Sequence, residues 1–472
     1  MQLPNLTTDN KDINMAYRMA LATISANIIP FKDGILEEKA PCIIAGLGYC
    51  TPWTRDSSIN TWNGCGLLCS DEAKNSLDSI LRLKEEGYFI SGEYWDSIIW
   101  VTGAWWLYLY TGDLDFLKRA YNAAVNTLKH FEETEFNKEL NLFRGPACYG
   151  DGVAAYPDFY ATHGKSGIIA FARECREYCI DTGVGIPMHT LSTNCLYYNA
   201  YILADKMAEI LGEELRYSEK ARALKKAINK EFWCEEKGTY LYIRDDFGNC
   251  DYQEGMGIAF VILFGVADEE KTKKVLENAY VSPHGITCVW PTFPRYLSHS
   301  DPLQQGRHSG TVWPHIQGFW ADAAAKNGRI DLFENEFKNQ TENAINSRDF
   351  AEIYHPTTGE AYGGIQEKVD GGGMRFWKSE PFQTWSATAY IRNLYFDLIG
   401  MEFTNEGVTF SPVKTKLAKD IRLDGLKYRN SELFIHITVS EAGEKAFKLN
   451  GEKANWFVPN SLNGKVFIEI TL

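Results

Sequence analysis

The sequence has no concentration of positive charge. Its 48 Lys and Arg are outnumbered by 62 Asp and Glu, giving a net charge of −14, and no basic cluster interrupts the surplus. That excludes the usual electrostatic footprint of a nucleic-acid binder and leaves an acidic surface that favours solubility. No apolar run is long enough to cross a bilayer. The N-terminal stretch MQLPNLTTDNKDINMAYRMA has no basic segment followed by an apolar core, so neither a membrane span nor a secretory leader is expected. The 11 cysteines are irregularly spaced and none stands in a Cys-x-x-Cys pair. Cys65 and Cys69, four apart on an expected helix, are a weak metal signal at best. A reduced, cytoplasmic protein without structural zinc is expected. Phosphate-loop chemistry is missing as well: GVGIP at 183–187 follows no strand, and GGGM at 371–374 opens no helix. No fixed-length repeat recurs, which argues against a solenoid.

What the chain does have is aromatic side chains and helical periodicity. Aromatics make up 14% of it, with 13 Trp and 25 Tyr. Rings in that number either fill a large core or line a cleft that stacks on sugar faces, and composition leaves both open. Periodicity predicts helices near 13–27, 55–69, 72–86, 96–111, 115–134, 192–213, 216–232, 255–266, 270–280, 310–326, 330–346 and 383–399. Many form pairs, an apolar helix rich in Trp or Gly followed by a charged amphipathic one. A double ring of helices needs such pairs, with the inner helix buried on most sides and the outer one wetted along a stripe. The expected fold is therefore mainly α: an (α/α)6 toroid over 1–400. Beyond Gly400 the texture alternates apolar and polar, as in ELFIHITV and KVFIEITL, with Asn-Gly turns at 450–451 and 463–464. A small β-sandwich domain over 401–472 is expected there. The loops at 143–191 and 281–309 are too long for plain connections.

Four stretches carry chemistry. CTPWTRDSSINTW opens a helix with Arg55 and Asp56 between Trp53 and Trp62. Asp56 there is either a helix cap or a carboxylate for two sugar hydroxyls. FRGPACYGDGVAAYPDFY sets Asp151 between glycines, near Tyr149 and Tyr156, whose apolar bulk would raise a carboxyl pKa as a general acid requires. Asp158 is a neighbouring decoy. LQQGRHSGTVWPHIQGFWADA brings Arg307 and His308 before Trp313. His308 and His315 lack a third ligand at helical spacing, so no metal is expected. RDFAEIYHPTTGEAYGG places Glu352 and Glu360 around a His-Pro turn.

Together these stretches resemble the inverting glycosidases with an (α/α)6 barrel, most closely glycoside hydrolase family 63, the α-glucosidase type, to which the trehalases of family 37 are related. The likeness spans roughly 50–400. EIYHPTTGEAYGG followed by PFQTWSATAYIRNLYFDLIG is similar to the family's Glu-aromatic-Pro-x-Thr-Gly pattern and the helix after it. HSGTVWPHIQGFW is similar to its Arg-Gly-x-x-Trp helix start, STNCLYYNAYILADKMAEILG to a Tyr-bearing helix, and WTRDSSINTW to a Trp-Asp helix start. ACYGDG keeps the last Asp of its Glu-Ser-Gly-x-Asp and lacks the Glu and Ser.

The resemblance implies Glu352 as general base and Asp151 as general acid, set roughly 6.5–9.5 Å apart to admit a water. It implies Trp53, Arg55, Asp56 and Trp313 as contacts to the bound sugar, with Trp100, Tyr149, Glu360 and Trp385 as further substrate contacts. An exo-acting α-glycosidase on a glucosyl oligosaccharide, without metal or organic cofactor, is the expected function. A phosphorylase on the same barrel, with Arg307 and His308 holding phosphate, and a non-catalytic carbohydrate binder are the alternatives.

Overall fold

In the computed structural model, which describes residues 3–440 and 445–472, a strand β1 (Asn5–Thr8) precedes the first helix, α1 (Lys11–Ala26). The helices that follow alternate in character. α2 (Thr54–Asn60) runs on through a π-helical turn, and α3 (Ser70–Ile80) follows it. α4 (Trp100–Thr111) is almost wholly apolar and buried. α5 (Leu114–Thr134) buries Phe116, Leu117, Ala120, Ala123, Ala124, Thr127, Leu128 and Phe131, one stripe at helical spacing. The remaining pairs are α6 (Leu191–Leu211) with α7 (Ser218–Glu231), α8 (Gly255–Leu263) with α9 (Glu269–Asn278), and α10 (Pro314–Lys326) with α11 (Ile330–Ser347). Last comes α12 (Thr384–Arg392).

The most buried helices touch in the order α2, α4, α6, α8, α10, α12, and α12 returns to α2. That is a closed inner ring of six, with α1, α3, α5, α7, α9 and α11 packed outside it. Missing side chains permit the tightest contacts. A Cβ on Gly103 of α4 would lie 2.8 Å from the Cα of Ser58 in α2, and one on Gly318 of α10 would lie 2.9 Å from Ala389 in α12. No helix among the described residues is long and apolar enough to cross a membrane.

The C-terminal segment adds β2 (Met401–Phe403), β3 (Gly407–Phe410), β4 (Asp420–Tyr428), β5 (Ser431–Thr438), β6 (Ala446–Leu449), β7 (Glu452–Lys453), β8 (Phe457–Pro459) and β9 (Gly464–Thr471). One sheet runs β1-β4-β5-β9-β6-β7, the other β2-β3-β8. The pair β5/β9 is parallel. Phe410 of the small sheet meets Phe447 of the large one at 5.6 Å. β1 pairs with β4 from Asn5 opposite Asp424 to Thr8 opposite Ile421, so the first described strand is stitched into the sheet made by the end of the chain.

Two predicted helix limits move. The helix expected over 72–86 stops at Ile80, because Leu81–Lys84 and Gly87–Ile90 form a hairpin. Gly87 takes φ 120° there, a conformation open to glycine. The helix expected from 310 starts at Pro314: proline suits the first helical position, and Val312 is instead bridged to Tyr354.

Candidate active site

All six inner helices begin at the same end of the ring. Trp53 is the N-cap of α2, Trp313 that of α10 and Gln383 that of α12. The positive ends of the helix dipoles therefore face this mouth, which favours carboxylates there. The loops around it enclose a cavity of about 420 Å³.

One wall carries Glu352, with its side chain 2% exposed. Arg307 Nη2 donates to its Oε2 at 2.8 Å, and the Tyr49 hydroxyl donates to Oε1 at 3.2 Å. The Glu352 N–H donates to the Glu380 carbonyl at 2.8 Å. Behind it the chain doubles back as a hairpin: Tyr354 bridges Ala361, and His355 Nδ1 accepts the amides of Thr357 and Thr358, both at 3.1 Å. The His-Pro-Thr-Thr-Gly segment is thus a self-capped turn that fixes Glu352.

The opposite wall carries Asp151, whose side chain is 65% exposed toward the cleft. His308 Nε2 stands 3.5 Å from its Oδ1 and Arg55 Nη2 stands 4.0 Å from its Oδ2. Enclosure by the cleft pushes its pKa up, but His308 and the Arg55 and Arg307 guanidiniums outweigh that and hold the carboxyl well below the usual range. The elevation expected from Tyr149 and Tyr156 does not occur. Their hydroxyls donate to the carbonyls of Cys288 and Gly150. The glycines flanking Asp151 serve close packing: a Cβ on Gly152 would lie 2.7 Å from His308 Cε1, and one on Gly150 would meet the Tyr156 hydroxyl.

Arg307 and His308 are consecutive, and each holds one carboxylate. One dipeptide, in a bend of the chain, thus reaches both walls. The Arg307 guanidinium lies 5.6 Å from the Trp313 ring and 5.4 Å from that of Trp377.

At the floor, Asp56 is 4% exposed and does not cap its helix; its Oδ1 has no hydrogen-bond partner. Burial raises its pKa to about 7, with Arg55 only partly offsetting. Asp96, beside Arg55 Nη1 at 3.5 Å, is likewise raised by burial to about 7.

Of the ten residues singled out from the sequence, Trp53, Arg55, Asp56, Asp151, Trp313, Glu352 and Trp385 line this cavity. Three do not. Trp100 is fully buried in the ring wall, its Nε1 donating to Leu77 O at 3.1 Å. Tyr149 is buried behind His308 at 6.3 Å between rings. Glu360 is exposed and lines a separate hollow with Asn346 and Thr358. Tyr49, Glu93, Asp96, Trp377 and Gln383, which the sequence patterns do not single out, also line the cavity. Asp96 had a weak signal: like Asp56 it follows shortly after a tryptophan just ahead of an inner helix.

The family model described as amylo-alpha-1,6-glucosidase matches residues 17–392. No curated protein matches the chain. Among solved structures, a sialidase aligns at 14% identity and TM-score 0.65 over 90% of this chain and 37% of its own. A GH78 family rhamnosidase of Bacillus sp. GL1 aligns at 14% and 0.61 over 100% of this chain and 44% of its own. The chain thus spans less than half of either. The GH63 mannosylglycerate hydrolase of Thermus thermophilus, in complex with glucose, aligns at 13% and 0.58 over 80% of this chain and 99% of its own. At such identities the likeness is one of fold, and it agrees with the α/α toroid and with the resemblance to family 63 drawn from the motifs.

Proposed function

Since the chain belongs to the amylo-alpha-1,6-glucosidase family, we propose that it is an inverting glycoside hydrolase that releases glucose from an α-linked glucosyl oligosaccharide, with Asp151 as general acid and Glu352 as general base. The α-1,6 bond of the family description is the linkage assigned. The observation that carries the reading is the placement of two carboxylates on opposite walls of one cavity, each held by one member of the Arg307-His308 dipeptide.

The reaction follows from that placement. Asp151 protonates the glycosidic oxygen as the bond to the anomeric carbon breaks, while Glu352 takes a proton from a water that attacks the other face of the ring. Glu352 lies within the cavity wall and is aimed by Arg307 and Tyr49, as a base that orients water must be. Asp56 Oδ1, the Gln383 amide and Trp377 Nε1 are buried and have no protein partner. Sugar hydroxyls would satisfy them, and an analogue lacking those hydroxyls would leave them unpaired at a cost. Trp53, 55% exposed at the rim, supplies a stacking face for the departing chain.

A phosphorylase would need Arg307 and His308 for phosphate, yet both already engage carboxylates. The test is a panel of α-1,6- and α-1,4-linked glucosyl oligosaccharides, with and without inorganic phosphate, with NMR reading the first-formed anomer. Release of β-glucose independent of phosphate supports the reading. Release of α-glucose, a requirement for phosphate, or no release from any α-glucoside overturns it.

A further inference from the structure

Resting on that reading, we propose that His308 and Asp151 hold the catalytic proton jointly, which makes His308 a positioning residue for the general acid. His308 is 1% exposed, and neither ring nitrogen has a hydrogen-bond partner by strict geometry among the described residues. Among the described residues, the one acidic side chain beside its ring is Asp151, with Nε2 3.5 Å from Oδ1. The imidazole cannot swing away. It stacks on Trp313 at 4.7 Å and 23° on one side and on Tyr149 at 6.3 Å and 25° on the other. The absent Cβ of Gly152 lets Cε1 come close.

A reason for the pairing lies in the charges around Asp151. Arg55 and Asp56 face it from α2, Glu93 and Asp96 from the segment before α4, Arg307 from the His308 segment, and Glu352 and Tyr49 from the far wall. His308 itself is faced by Asp151, Arg307 and Arg55. With two guanidiniums nearby, Asp151 alone is ionised at neutral pH and has no proton to give. An imidazole at 3.5 Å supplies a second place for it. At pH below the lowered pKa of the imidazole, the free protein carries the proton on His308 as an imidazolium facing the carboxylate. When the glycosidic oxygen reaches Asp151, the proton passes from Nε2 to the carboxylate and on to the oxygen as the bond breaks. Glu352 meanwhile takes one proton from the attacking water, so Asp151 ends ionised as it began, and solvent then takes the proton from Glu352 and returns one to His308. Burial lowers the imidazole's pKa and Asp151 only partly restores it. The alkaline limb of kcat/KM therefore falls below the pKa of a free imidazole.

The test compares two donors. Fluoride departs without a general acid, so α-glucosyl fluoride isolates that role. H308N should lose on the order of 100-fold in kcat on the oligosaccharide while keeping its rate on the fluoride within a few-fold, the pattern expected of D151N. Its alkaline limb should move to lower pH, because Asp151 beside the two arginines gives up its proton more readily. R307K, which touches the base, should slow both donors. An H308N protein that slows both donors alike, with the limb unmoved, overturns the proposal. Should H308N fail to fold, histidine ring NMR of the unsubstituted protein decides. His308 titrating along the kinetic limb supports the pair, and a ring that stays neutral through that limb overturns it. Wild-type protein that hydrolyses neither donor fails the functional reading itself, an outcome distinct from both.

Discussion

The two ends of the helical ring bury charge in opposite ways. At the far end, Arg392 of α12 pairs with Asp322 of α10, and Lys326 reaches the same carboxylate at 3.2 Å. Arg392 also donates to Asn63 Oδ1 at 3.0 Å and lies 4.4 Å over the Trp62 ring. Asp322 is held below the ordinary carboxylate range: burial raises it, but Lys326 and Arg392 prevail. At the mouth, Asp56, Asp96, Asp151 and Glu352 share two arginines. The far end matches cation to anion and so locks α10 to α12. The mouth carries more acid than base, an arrangement that disfavours the folded state by itself and is sensible only where a ligand or a reaction uses it.

The sharpest way to break this contrast is at the mouth. Glu352→Gln keeps the shape and removes the proposed base, so turnover should fall by about 10²–10⁴-fold with little change in the melting temperature. Steady-state kinetics beside a thermal melt reads both. A variant that keeps full activity removes Glu352 from the mechanism. The reverse experiment belongs at the far end. Arg392→Met removes the buried one of the two cations that hold Asp322, leaving Lys326, and should cost up to about 3–5 kcal/mol of stability. The folded fraction should still turn over at a near-normal rate. Urea unfolding with activity normalised to folded protein measures it, and a stability loss near zero would show the far-end charges to be dispensable.

Much of this architecture was legible in the chain. The inner helices are buried on most sides and the outer ones striped, so paired layers of helices could be read from periodicity. The boundaries that slipped did so where local chemistry overrode the pattern, at the Leu81–Ile90 hairpin and at Pro314. The site was legible where a motif was continuous, as in the hairpin that carries Glu352. It was not legible where function comes from convergence. Nothing in the sequence around Asp96 or Tyr49 states that the ring brings them to Glu352. Arg307 and His308 look like a phosphate-holding pair until both walls are in place. Trp100 and Tyr149 were indistinguishable from cleft aromatics because burial depth is a tertiary property.

A smaller effect sharpens the comparison through pH. Burial raises the pKa of Asp56 to about 7. The folded protein then keeps a proton that the unfolded chain releases near the ordinary value of about 3.9. Stability from this group is full below that value and declines as pH rises toward 7, where the folded carboxyl must ionise inside the cavity. Asp56→Asn removes the term. The variant should be more stable at pH 7 by on the order of 1–2 kcal/mol, with a flatter pH profile, while binding sugar worse. Melts from pH 4 to pH 8 test the sign. Equal slopes in the two proteins would mean that Asp56 is ionised throughout.

The smallest effect is expected at Glu360, and it tests how the loop divides its two acids. The strand-like pairing of Tyr354 with Ala361 folds the segment back on itself, and the Glu360 carbonyl accepts the His355 amide at 2.9 Å. Glu360 therefore contributes through its backbone, while its carboxylate faces water on the outside of the hairpin and Glu352 faces the cavity. Glu360→Gln leaves the backbone bond intact. Turnover and stability should each stay within about 0.5 kcal/mol of the parent, as for an ordinary surface substitution. A loss approaching that of Glu352→Gln would mean that the hairpin turns over during catalysis and brings the outer acid to the substrate. That single result would erase the distinction between the two glutamates on which the assignment of the base depends.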